Sequence, residues 1–269
     1  MQIGKPGTPV SAISQAYPDR VEVRGHSLTE LMGRVSFTEY FHLLLTGREP
    51  TEDQRFFLDL LLVAIAEHGM MPSNVAARMT LAADPASLHG AVAAGILGCG
   101  PVILGTSEAC ARLLERGQHR INGGEEPDAV ADELARQVHS SGDRLPGFGH
   151  PLHRPVDPRA ERILELADAR GVSGGHVLLA RCLAGSATKT WGKPLPMNVS
   201  MPIAAVMLDL GFPSAGVKSV PILARTAGLL AHLAEEQSNP LGFLMASRAE
   251  EAIEYGQLPP DERAPREGE

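Results

Sequence analysis

The chain is predicted to be all-α, on three observations. Apolar residues recur at helical spacing: within 128–140, Val130, Leu134 and Val138 share one face. Two runs, 56–66 and 91–104, are apolar on nearly every face, the pattern of a helix inside a core. No stretch alternates polar and apolar residues over a strand's length between hairpin turns.

The elements follow in order. Run 56–66 is a buried helix too short to span a bilayer, and Gly69 suits the position just past its end. Run 91–104 is interrupted by Gly95, Gly98, Gly100 and Pro101. Its small residues favour close helix packing, and the break at Gly100-Pro101 favours a loop into a site. A helix over 107–116 leads towards Asn122-Gly123-Gly124, and the amphipathic helix 128–140 comes next. Asp157 is a good N-cap and Pro158 suits the first helical position, with helix formers across 160–169. Helices are expected at 177–184 and at 201–210, the latter opened by Ser200 as N-cap with Pro202 in its first turn. The long helix 222–236 carries Arg225 and His232. There is no internal repeat.

Composition bounds the function. A chain of 269 residues can bury a large core in one domain or two unequal ones. A net charge of −8 and the lack of any basic run exclude a nucleic-acid protein, and no run is a membrane span. Cys99, Cys110 and Cys182 lie in apolar surroundings without CxxC or His-flanked spacing. They read as reduced thiols of a cytoplasmic protein, not as disulfides or metal ligands. The N-terminus lacks the positive, apolar and cleavage-site pattern of a signal peptide.

Stretch 146–159, PGFGHPLHRPVDPR, carries the chemistry. Gly147 and Gly149 let backbone approach a ligand closely. His150 can donate a hydrogen bond or transfer a proton near neutral pH. Arg159, in the first turn of a helix, can clamp a carboxylate with two parallel bonds, helped by the positive helix end. The loop reads as a site for an anionic, oxygen-rich small molecule. A surface turn with solvated charges is the plainer reading of such a loop.

Gly147-Phe148-Gly149-His150 followed by Asp157-Pro158-Arg159 resembles the signature of the citrate synthase family. Four further stretches fit in the same order: 24–47, opening Arg24-Gly25-His26; HGMMPSNVAAR at 68–78; GPVILGTSE at 100–108; and ARTAG at 224–228 with His232. The chain is short for the family and looks closest to its compact citryl-CoA lyase-like branch, similar to the lyase module of ATP-citrate lyase. The resemblance implies a large helical domain, 1–141 with 241–269, and a small helical domain, 142–240, closing over a cleft. It implies a homodimer, an oxo-diacid or tricarboxylate and an acyl-CoA as ligands, and no metal, redox or permanently bound cofactor. The coenzyme A thioester is a substrate. His68 matches the histidine that contacts the oxo-acid. His150 matches the one that bonds its carbonyl or the product hydroxyl, and is the expected catalytic base for cleavage. Arg159 and Arg225 match carboxylate-binding arginines, and Arg154 matches a basic position near CoA phosphate.

Two departures concern the chemistry. Ile103 stands where the family has a histidine that polarises the thioester carbonyl, and Ser200 where it has the aspartate base. Each such group typically contributes about 10²–10⁴-fold. His89, His153, Lys189 and Lys193 are the residues weighed as substitutes. The expected function is making or cleaving a carbon–carbon bond between an acyl-CoA and an oxo-diacid, most simply citryl-CoA to acetyl-CoA and oxaloacetate. The alternative is a non-catalytic dicarboxylate- and CoA-binding homologue.

Overall fold

The computed structural model describes residues 9–100, 105–150 and 153–256. A short antiparallel sheet of β1 (Ser14–Ala16), β2 (Val21–Val23) and β3 (His26–Ser27) comes first, in the order β1-β2-β3. Helices follow: α1 (Leu28–Leu31), α2 (Phe37–Thr46), α3 (Glu52–Ala66), α4 (Pro72–Ala83), α5 (Leu88–Leu97), α6 (Gly105–Asn122) and α7 (Pro127–Ser140). The remainder are α8 (Pro158–Ala169), α9 (Gly175–Trp191), α10 (Ser200–Asp209), α11 (Ser214–Val217), α12 (Ser219–Ser238) and α13 (Gly242–Ala252). No helix among the described residues is long and apolar enough to cross a membrane.

The protein is mostly helical, as its periodicity predicts. The strands span two or three residues, too few for alternation to show. Helix α3 starts before the apolar run because Thr51 and Gln54 form a capping box, each side chain accepting the other's backbone N–H. Ser36 and Glu39 do the same for α2. At α10 the structure corrects the expected cap. Ser200 is the first helical residue, and the Asn198 side-chain oxygen accepts its amide at 3.1 Å. The helix predicted over 91–104 ends at Leu97, and its residues 101–104 lie outside the described residues.

The chain forms two compact units. One comprises residues up to 68 and 99–228; the other comprises 69–98 and 229 onwards. In the first, α10 is the central helix, packed by α3, α6, α8, α9 and α11. Every residue from Ser200 to Leu208 is buried, which its sequence SMPIAAVML permits by being apolar all round. Each fully buried large aliphatic side chain contributes about 1.5–3 kcal/mol. The next residue, Asp209, caps α9, accepting the Gly174, His176 and Val177 amides at 2.8–3.0 Å and pairing with His176 Nδ1 at 2.8 Å. Burial alone would raise its carboxyl, but these donors hold it below the ordinary range.

In the second unit, Ala77, Leu81, Ala91, Leu229 and Leu233 form a small core between α4, α5 and the last part of α12. Gly95 belongs to that packing, since a Cβ there would lie 2.7 Å from Leu229 Cδ2. Arg78 is fully buried and donates to Glu236 Oε2 at 2.8 Å, to His232 Nδ1 at 3.1 Å through Nε, and to Glu235. Glu236 also accepts the Leu241 and Gly242 amides at 2.8 and 2.7 Å, which ties the start of α13 to the same buried charges. The matched Arg78 and His232 therefore hold this unit together.

Candidate active site

The site is built on the stretch between α7 and α8. Gly147 and Gly149 both have positive φ, 80° and 84°, which favours glycine. Between them Phe148 is buried and forms an antiparallel bridge with Met197. Bonds from Gly149 N to Pro196 O (2.7 Å), Asn198 N to Gly147 O (2.9 Å) and Asn198 Nδ2 to Gly149 O (3.0 Å) clamp the loop. The two glycines differ in use. A Cβ on Gly147 would lie 2.7 Å from Met201 Cβ and 2.8 Å from Cys110 Sγ, so its bare side faces packed core. A Cβ on Gly149 would meet nothing within 4 Å, so it is Gly149 whose backbone a ligand can approach.

Immediately after the clamp come His150 and His153. Both meet His68, which follows the end of α3. The His68 and His153 Nε2 atoms are 3.1 Å apart. Ring centroids are 5.4 Å apart for His68–His150, 5.3 Å for His68–His153 and 4.3 Å for His150–His153. The His153 amide donates to His150 Nδ1 at 3.0 Å. With Nδ1 accepting, the neutral His150 ring carries its hydrogen on Nε2 and offers a donor. That geometry suits binding a carbonyl or alkoxide oxygen better than removing a proton.

Asp157 caps α8, as its sequence position predicts, and does more. It is buried, accepts the Arg159 amide at 3.1 Å, and binds the Arg159 guanidinium through Nε (3.0 Å) and Nη2 (2.9 Å). It also accepts the Val199 amide at 3.2 Å. Burial works to raise its carboxyl, yet Arg159 and these amides hold it below the ordinary range. One edge of the Arg159 guanidinium is thereby committed, and a ligand carboxylate would meet the Nη1 edge. This pairing escapes sequence reasoning because an acid two residues before an arginine reads first as a helix cap.

Arg225, on α12, is 3% exposed, and its Nε and Nη1 have no hydrogen-bond partner among the described residues. Its charge and that of Arg159 both reach His68. The His68 pKa is lowered by burial first, then by the charges of Arg159, His153 and Arg225. His150 is lowered too, by burial and then by His153. Hence His68, His150, Arg159 and Arg225 lie near one another, with His153 among them. Arg154 is exposed beside them. Ser200 is buried at the start of α10, whereas Ile103 lies outside the described residues. Among the other residues weighed, His89 and Lys193 are exposed, and Lys189 pairs with Asp132 at 3.7 Å on the surface.

Three imidazoles and two guanidiniums in one partly buried place suit a ligand with carboxylates and a carbonyl or hydroxyl oxygen. Comparison with known proteins points the same way. Citrate synthase, C-terminal domain, is the family whose profile matches residues 48–243. The citrate synthase of Heyndrickxia coagulans is 29% identical over 208 residues, 76% of this chain and 53% of that protein. The chain thus spans about half the length of the curated relatives it matches. The citryl-CoA lyase of Hydrogenobacter thermophilus superposes with a TM-score of 0.81 at 30% identity, covering 94% of this chain and 96% of that one. The ATP citrate lyase of Methanothrix soehngenii, solved with citrate and coenzyme A, shares the fold at a TM-score of 0.74 and 22% identity, over 96% of this chain and 43% of that one. The chain belongs to the citrate synthase family, in the fold shared by citrate synthases and citryl-CoA lyases.

Proposed function

We propose that this protein is an enzyme cleaving citryl-CoA, or a close relative, to acetyl-CoA and oxaloacetate, or running the reverse condensation. The observation that carries the reading is Arg225, a guanidinium 3% exposed whose Nε and Nη1 have no partner among the described residues and whose charge reaches His68. A buried, unpaired charge costs several kcal/mol, and a ligand carboxylate offsets that cost. In cleavage the tertiary hydroxyl gives its proton to solvent and its C–O bond becomes C=O. The electrons of the breaking C–C bond pass into the thioester as an enolate, which takes a proton from solvent at carbon. His150 would hold the reacting oxygen through Nε2–H, and His68 would contact the oxo-acid. Arg159 and Arg225 would bind its carboxylates, Gly149 would let the ligand approach, and Gly147 would keep that turn packed. Exposed Arg154 would meet CoA phosphate, the thioester being a substrate with no permanently bound cofactor needed.

In this reading, residues 142–240 close over the ligand. The chain works as a homodimer in the cytoplasm: Leu88, Leu97, Phe243 and Leu244 give one unit an exposed apolar surface, and the cysteines form no disulfide among the described residues. Sedimentation giving a monomer mass at micromolar concentration would oppose the dimer. The deciding assay is turnover of citryl-CoA coupled to oxaloacetate reduction, with His150→Ala expected to abolish it and leave the fold intact. Ser200 in place of the family's aspartate favours a second reading, a non-catalytic dicarboxylate- and CoA-binding protein. Citrate binding without turnover of any citryl-type thioester would select it.

A further inference from the structure

We infer that Gly228 is a positioning residue: its missing side chain lets the last carbonyl of α3 rest on the backbone of α12, and this crossing sets the separation of His68 from Arg225. The consequence for ligand binding rests on the proposed function; the crossing itself does not.

Gly228 lies in the middle of α12, where glycine weakens a helix and alanine would strengthen it. Packing supplies the reason for it. A Cβ there would overlap the Ala66 carbonyl oxygen and lie 3.1 Å from both Ala66 C and Glu67 Oε2. At Gly95 and Gly117 an added Cβ would meet chiefly leucine methyls, which can turn aside. A backbone carbonyl moves only with its helix. Gly228→Ala must therefore drive the end of α3 back by about 1 Å to reach ordinary contact.

Two groups of the candidate site ride on this crossing. Ala66 ends α3, and the carbonyls of a last helical turn have no donor within their helix, so the close Cα–H of Gly228 gives this one a weak partner. His68 follows two residues later, and its amide donates to Glu67 Oε1 at 2.8 Å. Glu67 thus lies against Gly228 with one carboxylate oxygen and holds the His68 backbone with the other. On the opposite side of the contact, Arg225 precedes Gly228 by three residues and shares its face of α12. A ligand gripped by both the imidazole and the guanidinium needs them at one separation. A misplacement of about 1 Å is enough to cost about 100-fold in a reaction. Nothing local in the sequence announces the device, because Ala66 and Gly228 lie far apart in the chain.

The test is a double-mutant cycle of Gly228→Ala and Arg225→Met, read by citrate calorimetry and by proton NMR titration of the His68 imidazole. Gly228→Ala should weaken citrate binding about 10- to 100-fold when Arg225 is present and less than about threefold when it is methionine, since spacing to a missing guanidinium has no effect. The His68 pKa should rise in Gly228→Ala, as Arg225 and burial recede, and rise less in the Arg225→Met background. His153, Asp157 and Arg159, which also act on His68, are common to all four proteins. Gly185→Ala, at an exposed helical position where a Cβ meets nothing within 4 Å, should change neither reading. In wild-type protein with labelled glycine, one Gly228 Hα should lie downfield of its geminal partner; this reads the crossing even where Gly228→Ala does not fold. Coincident Hα shifts, an unchanged His68 pKa in Gly228→Ala, or a loss of citrate affinity that is absent or equal in both backgrounds would overturn the inference. A wild type that binds no citrate, with the His68 changes as expected, would instead count against the proposed function alone.

Discussion

Replacing Arg225 with methionine separates a guanidinium kept for a ligand from one kept for the fold. Arg225 is 3% exposed, and its Nε and Nη1 lack partners among the described residues. In the free protein it is a desolvated charge without hydrogen bonds at two nitrogens. Exchanging such a charge for an apolar side chain of similar length is neutral or stabilising, by about 1–4 kcal/mol. Arg225→Ala should instead leave a cavity and lose about 2–5 kcal/mol, by the rule for large-to-small core changes. Binding should move the other way. A charge-assisted hydrogen bond to a carboxylate contributes about 1.5–3 kcal/mol, so Arg225→Met should weaken citrate or oxaloacetate binding by about 10- to 150-fold. Urea unfolding reads the first effect and calorimetry the second. A linked check is available, because citrate at 100 times its Kd stabilises wild type by about 2.7 kcal/mol, and the same concentration should stabilise Arg225→Met far less. Unchanged citrate affinity, or destabilisation of the methionine variant as severe as that of alanine, would refute the reasoning: the guanidinium would then belong to the fold.

Four further expectations follow from the same geometry. His42, His68 and His150 are each lowered from the ordinary 6.5, chiefly by burial. As pH falls through 6.5 the unfolded chain takes up protons that these rings refuse, so urea midpoints should drop between pH 7.5 and 5.5, and His42→Phe should reduce that slope; a flat midpoint would contradict it. Asp157→Asn leaves Arg159 without its ion pair and should destabilise by about 3–5 kcal/mol in chemical denaturation, the cost of breaking a buried pair. Gly147→Ala meets Met201 and Cys110 as well as a positive φ and should lose about 2–5 kcal/mol, against about 1–2 for Gly149→Ala, where only the backbone conformation resists; equal losses would show the packing argument to be wrong. Arg154→Ala should weaken coenzyme A binding several-fold in calorimetry and leave citrate binding unchanged, since Arg154 is exposed while the carboxylate-binding groups are not.

The sequence by itself determined the helical class and the family, and it named candidate residues for the site. Helical periodicity is local, so 128–140 and 160–169 show their faces and caps without any tertiary information. The motif 146–159 names its own histidines and arginine, because a Gly-Phe-Gly turn joined to a capped helix is also a local device. Element ends were less legible: α6 and α9 continue beyond their apolar stretches through polar turns that pattern alone leaves open. What tertiary structure decided is who meets whom. The meeting of His68 with His153, across 85 residues, depends on how α3 and the 146–159 loop pack, which no spacing encodes. Asp157 is an N-cap in the sequence and becomes the partner of Arg159 and of the Val199 amide only when the start of α10 is brought against it. Ser200, a plausible cap by residue type, is displaced from that role because Asn198, already held to Gly149, reaches its amide first. Arg225 looks in sequence like any arginine on an amphipathic helix. Only packing shows that it is buried with two nitrogens unsatisfied among the described residues, and burial is what turns an ordinary charge into one that demands an anion.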